Sequence, residues 1–381
     1  MRVGIDARAA VRYRGTGLGT YTARLIEALA EVDQLNEYCV FLPSPPEGGE
    51  ERPEPFSLPA RGRFTARTFP SSPDRAAEDL AISRGLAEEH CDLHHVPHNG
   101  LGYPPDPPSP VVTTVHDLIP YVLPQTCTRR YLERFLARMP EICARSSLVL
   151  TVSRHTRADL CRILGLPEQK IVVVYEAPEP CYQPGSFLEA TARVGQTYGL
   201  PSPYLLYVGG FSPRKNLTGL LTAYAKVYRD LPGTPALVLA GTLDPAGERL
   251  VDRAADLGLQ GKVLFPGFVP LADLPDLYRA ARFFVYPSLY EGFGLPPLEA
   301  MACGTPVVAS RESSLPEVVG NAGLLVDPYD PDALAEGLLR LGTDQELWEM
   351  LRERGLNRAG DFSWKRAACE TLLAYEAVVQ C

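Results

Sequence analysis

The strongest constraint in this chain is a rhythm. Short apolar runs alternate with longer helical stretches, and the series occurs twice. The first series runs RVGID (residues 2–6), EYCVFLP, CDLHHVP, VVTTVHD, SLVLTVS and KIVVVYEAP. Between these stand helical patterns such as YTARLIEALAEV, RAAEDLAISRGLAEE, RRYLERFLARMPEICARS and RHTRADLCRIL; Ser153 is placed to cap the last of them. The second series runs YLLYVGG, PALVLAG, KVLFPGFV, RFFVYPS and TPVVAS, with LTGLLTAYAKVYRD, GERLVDRAADLG, DLPDLYRAA and PPLEAMACG between. Runs this apolar are buried on both faces, as strands are in a parallel sheet crossed by helices. Residues 43–75, rich in Pro, Gly and charge, read as loop, and Pro104–Pro110 as a rigid connector. PEPCYQPGSF, residues 178–187, reads as a linker. A single core stops growing at roughly 250–300 residues, and this chain has 381. The expectation is an α/β protein with two doubly wound, Rossmann-like parallel-sheet domains facing a cleft. The first spans 1–183, with a C-terminal helix at about 364–381 packing back on it; the second spans 184–363.

Charge and cysteines narrow the class. A formal charge of −9 argues against a nucleic-acid partner but leaves room for a local basic site aimed at phosphate. Nine scattered cysteines, an odd number with no CxxC pair, fit neither a disulfide framework nor a zinc site, and point to a reducing cytoplasm. MRVGIDARAAVRYRG has no apolar core of a signal peptide, and no run approaches the ~18 apolar residues of a spanning helix. RRYLERFLAR, residues 129–138, is basic and partly amphipathic. It reads either as a solvated face or as a peripheral contact with anionic lipid at the inner face of a membrane. Nothing in the sequence fixes the oligomeric state.

Ligands of such sheets bind beyond the carboxyl ends of the strands, so the residues there are the site candidates. Glu291 and Glu299 stand eight residues apart around a Gly-Phe-Gly-Leu-Pro-Pro loop. Pro296 and Pro297 suit a first helical turn, where no N–H is needed; Glu299 is expected in that turn, and Gly304 stops the helix. The amides of Phe293, Gly294 and Leu295 lie between the acids. Carboxylates accept hydrogen bonds from vicinal hydroxyls, of which sugars have many. The plainer reading of Glu299 is an acid favoured by the helix dipole. In GGFSPRKN, Arg214 and Lys215 offer a planar fork and a point charge, which together suit a diphosphate; otherwise they are solvated cations. A ligand with hydroxyls at both ends of a diphosphate fits the set: a nucleotide sugar.

Three other features are weaker. GTGLG, residues 15–19, precedes a helix and suits an anion, but Thr20 breaks the G-x-G-x-x-G dinucleotide pattern, and a flexible connector is the alternative. His116 ends a strand and titrates near neutrality, or is a satisfied core histidine. Five of the six histidines fall in 90–116, yet adjacent His94 and His95 on a strand point to opposite faces, so no metal site is expected. Asp330-Pro-Asp332 precedes a helical run and reads as a cap with a first-turn acid.

Taken together, RGTGLGTYT, VHDLIP, YVGGFSPRKNL, FPGFV, YPSLYEGFGLPPLEAMACGTPVVAS and LPEVVGNAGLLVDPYD resemble, in order and over nearly the whole chain, glycosyltransferase family 4. These are retaining enzymes of the GT-B fold, and the overall form resembles bacterial mannosyltransferases of polysaccharide assembly. The resemblance implies transfer of a hexose, mannose favoured, from a nucleotide-diphosphate sugar to a saccharide or lipid-linked acceptor. GDP-mannose is the favoured donor and a UDP-sugar the next; neither a metal nor another cofactor is implied. Glu291 matches an acid that contacts the donor sugar, Glu299 one that binds ribose, and Phe293, Gly294 and Leu295 a loop holding sugar and phosphate. Arg214 and Lys215 match a diphosphate clamp, Gly17 a loop near the donor phosphate, Val269 a backbone contact to the base, and His116 a catalytic-centre histidine. Many members carry Arg at the place of Gly210, so its absence leaves more phosphate charge to Arg214 and Lys215. The rival readings are a glycoside hydrolase using Glu291 and Glu299, a sugar-nucleotide epimerase on the same fold, and a non-catalytic nucleotide-sugar binder.

Overall fold

A computed structural model describes residues 1–13, 15–44, 56–60, 63–72, 74–100 and 102–380. The chain forms two compact units, Met1–Glu176 with Ser363–Cys381, and Ala177–Phe362.

The first unit is built on seven strands: β1 Arg2–Asp6, β2 Glu37–Pro43, β3 Phe64–Phe69, β4 Leu93–Val96, β5 Val111–Val115, β6 Leu148–Thr151 and β7 Ile171–Val173. All pair in parallel, in the order β3-β2-β1-β4-β5-β6-β7. The order reverses between β1 and β4, so their carboxyl ends form the switch point where such sheets leave a crevice. The central strands are buried throughout, as their apolar runs require.

The second unit has six strands: β8 Tyr204–Val208, β9 Leu237–Ala240, β10 Val263–Gly267, β11 Ala281–Tyr286, β12 Val307–Ser310 and β13 Leu324–Val326. They too are parallel, in the order β10-β9-β8-β11-β12-β13, with the switch point between β8 and β11. The fold class is thus the doubly wound α/β pair the alternation implies. Among the described residues no helix is long and apolar enough to cross a membrane.

Three segments differ from the sequence reading. The loop expected over 43–75 contains β3, an edge strand whose middle residues are exposed. Exposure of both faces along its middle leaves no apolar run to signal it. Residues 45–55, 61–62 and 73 of that expected loop lie outside the described set. The Pro-rich stretch after residue 177 does not divide the units at 183/184. Tyr182 is buried with its ring edge-on to Tyr278, 5.7 Å between centroids, and Arg279 Nε donates to Gln183 O at 2.9 Å. The stretch therefore stands within the second unit and leads into an unforeseen helix, Phe187–Tyr198, capped by Ser186 and ended by left-handed Gly199.

The chain returns to the first unit at Ser363, which caps the helix Trp364–Val379. That helix is fastened by Tyr375, whose hydroxyl lies 2.7 Å from His95 Nδ1. The other ring nitrogen of His95 is 2.8 Å from Thr114 Oγ1. Its neighbour His94 turns the opposite way, its Nδ1 3.2 Å from Gly4 O. Burial pushes both imidazoles down, to about 3 for His95 and about 4 for His94, so both are neutral. Among the described residues no three His, Cys, Asp or Glu side chains gather as a metal set. Removing a partner from a buried polar group costs roughly 1–3 kcal/mol. Tyr375→Phe, which leaves His95 Nδ1 without its partner, is expected to destabilise the first unit by that amount in urea titration and to speed amide exchange in Trp364–Val379. Unchanged stability and exchange would show that the hydroxyl does not fasten this helix.

Candidate active site

The second unit's switch point gathers three charges from two loops. After β8 the chain bends through Gly209 and forms a short helical turn, Pro213–Lys215, that presents Arg214 and Lys215. After β11 it delivers Glu291. Lys215 Nζ donates to Glu291 Oε1 at 2.6 Å, and Arg214 Nη1 reaches the same oxygen at 2.8 Å. Lys215 and Glu291 are both buried. Tyr286, the last residue of β11, receives a hydrogen bond from Lys215 Nζ on its hydroxyl and sits with its ring 4.7 Å from that ammonium. Burial alone would raise the Glu291 carboxyl, but the charges of Arg214 and Lys215 override it and hold the group at about 2. Two cations around one carboxylate leave an excess of positive charge, which is what a bound oxyanion needs.

The loop between the acids is shaped from beneath. Glu291 N donates to Ser313 Oγ at 2.9 Å, and Ser314 Oγ donates to the carbonyls of Glu291 at 3.0 Å and Phe293 at 2.6 Å. Ser313 itself holds a left-handed conformation, φ 57°. Gly294, at φ +121°, caps the helix Leu295–Ala302, and a Cβ there would meet Leu315 Cδ2 at 2.7 Å, so only glycine fits. The Phe293 and Leu295 side chains are buried, so this loop offers a ligand its backbone. The helix starts at Leu295, one residue ahead of the prolines, which moves Glu299 beyond the expected first turn into the second. Because Pro296 and Pro297 carry no N–H, this helix end donates from Leu295 and the loop before it. Glu299 Oε2 accepts from the Tyr278 hydroxyl at 2.8 Å. Burial, and then the Glu299 charge, push that phenol far up, so the proton stays on Tyr278. Val269 is buried on the loop after β10, beside an exposed Phe268.

In the first unit, Gly17 opens the helix Gly17–Val32 and is exposed, with Thr16 capping through Gly19 N. His116 follows β5 and is buried. Its Nδ1 is 3.2 Å from Glu176 Oε1 and its Nε2 is 2.9 Å from Pro97 O. The Pro97 carbonyl can only accept, so Nε2 carries a proton, and the Glu176 carboxyl favours a second on Nδ1. Burial lowers the imidazolium, but the Glu176 carboxylate outweighs it and the net direction is upward. The structure therefore brings Arg214, Lys215 and Glu291 together, with Phe293–Leu295 on the same loop as Glu291. It fastens Glu299 separately through Tyr278. Asp330 accepts from Asp332 N as a helix cap, so that D-x-D pair is structural.

Sequence reasoning missed Tyr278, Tyr286, Ser313 and Ser314. A tyrosine ending or flanking an otherwise apolar strand, and serines ahead of Leu-Pro, were the available signals.

Two doubly wound sheets with a cation pair and a loop carboxylate at the second switch point are the design of a GT-B glycosyltransferase. The sucrose-phosphate synthase of Thermosynechococcus elongatus shares this fold with a TM-score of 0.80 at 23% identity, covering 99% of each chain. The structure of WaaG, a glycosyltransferase involved in lipopolysaccharide biosynthesis, does so with a TM-score of 0.70 at 18% identity over 97% of this chain and 98% of that one. The family profile "Glycosyltransferase Family 4" matches residues 15–177, and "Glycosyl transferases group 1" matches residues 196–358. The O-antigen chain mannosyltransferase B of Escherichia coli is 35% identical over 386 residues, 98% of this chain and 99% of that protein. The serotype-specific mannosyltransferase WbdA of Escherichia coli is 30% identical over 308 residues, 77% of this chain and 37% of that longer protein. The chain belongs to glycosyltransferase family 4.

The buried carboxylate makes a pH prediction. Glu291 lies at about 2 in the folded chain against an ordinary 4.5. A depressed carboxyl stabilises the fold above its ordinary value and loses that contribution as pH falls toward its folded value. At ~1.4 kcal/mol per unit, the second unit is expected to lose on the order of 3 kcal/mol between about pH 5 and pH 2. Glu291→Gln should flatten that dependence in denaturant titrations run across the range. An equally steep curve in the variant would place the titrating group elsewhere.

Proposed function

We propose that this glycosyltransferase moves a hexose, mannose first, from a nucleoside diphosphate sugar to a hydroxyl of a saccharide or lipid-linked acceptor, with retention at the anomeric carbon. GDP-mannose stands ahead of UDP-sugars as donor. The observation that carries the reading is the positive excess at Arg214, Lys215 and Glu291, within a chain that aligns end to end with an O-antigen mannosyltransferase. Breaking the bond between the sugar C1 and the diphosphate leaves negative charge on the departing oxygen. Fixed cations stabilise that charge without reorganising, which supports a metal-independent reaction.

The roles we propose are these. Arg214 and Lys215 hold the diphosphate, and the amides of Phe293, Gly294 and Leu295 meet phosphate and sugar. Glu291 contacts the sugar hydroxyls, Glu299 the ribose, and Val269 the base through its backbone. Gly17 approaches the phosphate with no side chain in the way. His116, with both ring nitrogens engaged, acts on the transferred sugar by position. The helix Arg129–Arg145 buries Phe135, Met139, Ile142 and Cys143 on one face and carries arginines on the other, which supports contact with anionic lipid if the acceptor is lipid-linked.

Thermal shift against a panel of nucleotide sugars tests the donor first: GDP-mannose is expected to raise the melting temperature most, since a ligand selective for the folded state stabilises it. Losing a charged hydrogen-bond partner costs roughly 1.5–3 kcal/mol. Arg214→Ala is therefore expected to lower kcat/KM by about 10- to 150-fold. Glu299→Ala should raise the donor KM, and His116→Ala should mainly lower kcat. Wild-type kinetics in all three would remove the site assignment. Isomerised donor made without acceptor would replace transfer with epimerisation, and tight donor binding without turnover would leave a binding protein.

A further inference from the structure

His116 stands in a buried cage, and the points at which the chain leaves and re-enters the first unit both belong to it. The chain leaves after Glu176 and returns at Ser363. Glu176 Oε1 lies 3.2 Å from His116 Nδ1. Trp364, the first residue of the returning helix, faces Tyr21 with 6.0 Å between ring centroids. Tyr21 in turn meets the His116 ring edge-on, at 4.7 Å and 89°. The Tyr21 hydroxyl lies 3.2 Å from Thr114 Oγ1, which sets the tilt of its ring. Asn99, left-handed at φ 55°, holds the backbone by accepting from His116 N on Oδ1 at 2.7 Å. Glu176, His116, Tyr21, Asn99 and Trp364 are all buried.

Glu176 is the member that packing does not explain. Taking a carboxyl out of water costs free energy that close partners must offset. Asp6 and Glu291 each have an arginine for this. Among the described residues Glu176 has one hydrogen-bond partner, the imidazole. A neutral amide would reach Nδ1 with less desolvation. What a carboxyl adds is a charge-assisted bond, and with it a preferred proton on Nδ1 and a fixed ring plane. The Nε2 proton is committed to the Pro97 carbonyl at 2.9 Å. The ring is thus held at both nitrogens, with the Tyr21 edge against it. The other titratable groups near the ring are Asp117, next in the chain, and His95 and Tyr21, which burial keeps neutral. Burial lowers the imidazolium, and among the groups that oppose this Glu176 counts for more than Pro97 O or Asp117.

We propose that Glu176 is a positioning residue of the transfer reaction: it grips the Nδ1 side of His116, with Tyr21 against the ring, and so keeps the imidazole in one orientation at the catalytic centre. The role in transfer rests on the transferase reading; the pairing of Glu176 with His116 does not.

The test uses the full chain as wild type, Glu176→Gln, Glu176→Asp and Glu168→Gln. The last makes the same change of charge at an exposed carboxyl of the same unit. Histidine side-chain NMR, with the His116 signal assigned through bonds to its backbone, follows the ring across pH. In Glu176→Gln the ring is expected to titrate at lower pH than in wild type, because the group that favours its charged form is gone. Turnover of GDP-mannose with methyl α-mannoside as acceptor is measured on the same proteins, well below their melting temperatures. Glu176→Gln is expected to lower kcat on the order of 10- to 100-fold, the cost of a small misplacement in an active site, with the donor KM within about twofold of wild type. Glu176→Asp should recover part of that loss, and Glu168→Gln should match wild type in ring titration and turnover. If Glu176→Gln does not fold, Glu176→Asp, with the carboxyl on a shorter arm, carries the comparison through a lowered kcat at unchanged KM. An unchanged ring titration in Glu176→Gln would overturn the pairing. A lowered melting temperature with wild-type kcat would leave Glu176 a structural residue and overturn the positioning role. Failure of the transferase reading shows differently: the wild type itself would be inert toward nucleotide sugars and unmoved by them in melting temperature, which removes the role in transfer while the ring titration still decides the pairing.

Discussion

A buried carboxylate held between two cations organises the second unit. Removing a charge from water costs several kcal/mol, and only close, well-directed partners offset it. Glu291 has such partners in Arg214 and Lys215, and the grip ties the loop after β8 to the loop after β11. The backbone repeats the link, for Leu289 N donates to Arg214 O at 2.8 Å. Conformations that separate the two loops would strand a charge in a low dielectric. The interaction is therefore better understood as fixing a geometry than as adding stability, since a buried ion pair is often no better than an apolar replacement. What it fixes is two cations on one loop against the carboxylate of the other, the loop that also carries Phe293–Leu295.

The first unit solves a similar problem with different residues. Strands of a parallel sheet end together, and at the switch point their connections run in opposite directions, so no crossover helix covers the ends. Polar groups placed there are buried at the base and open at the top. Asp6 is fully buried yet remains ionised. Burial opposes its charge, while Arg8 and His98 outweigh that and hold it well below the carboxylate range. Gly102 shows how close the packing is, because a Cβ there would stand 2.0 Å from Arg8 Nη2. In both units, then, a buried carboxylate holds an arginine at the carboxyl ends of the strands, and the acid is more deeply buried than that arginine.

How much of this was legible follows from where each signal resides. Strands buried on both faces announce themselves, and β1 and β2 begin and end where their apolar runs do. Edge strand β3 does not, since the middle of FTARTF is exposed on both faces and carries no apolar run. Glu291 and its two cations were readable because each sits at a strand exit beside a glycine bend. Their supports were not. Ser313 and Ser314 act on a loop more than twenty residues earlier, and Tyr278 reaches Glu299 across 21 positions. Such contacts arise from sheet order, β8 beside β11 beside β12, which no local pattern encodes. Glu299 was misplaced by a turn because the helix begins at Leu295, where Gly294 permits the bend, and not at the prolines that seemed to announce it.

His116 carries the last step. A general base needs a lone pair free to receive a proton, and both nitrogens of this ring are already engaged, with Glu176 and with the Pro97 carbonyl. Acting as a base would thus require the ring to give up one of these contacts, leaving a lone pair toward either the Glu176 carboxyl or the Pro97 carbonyl. The backbone reinforces the lock: His116 N donates to Asn99 Oδ1 at 2.7 Å, and Thr156 Oγ1 donates to its carbonyl at 3.1 Å. If the reaction is the transfer proposed above, the proton released by the acceptor hydroxyl must find another base. The departing phosphate oxygen gains basicity as its bond to C1 breaks, and it leaves from the face on which a retaining attack arrives. In that proposed transfer, Arg214 and Lys215 would offset the charge of this oxygen only in part, because Glu291 already offsets part of theirs. The acid that anchors the cations thereby also tempers them, which under the proposed transfer favours a leaving group basic enough to collect the proton.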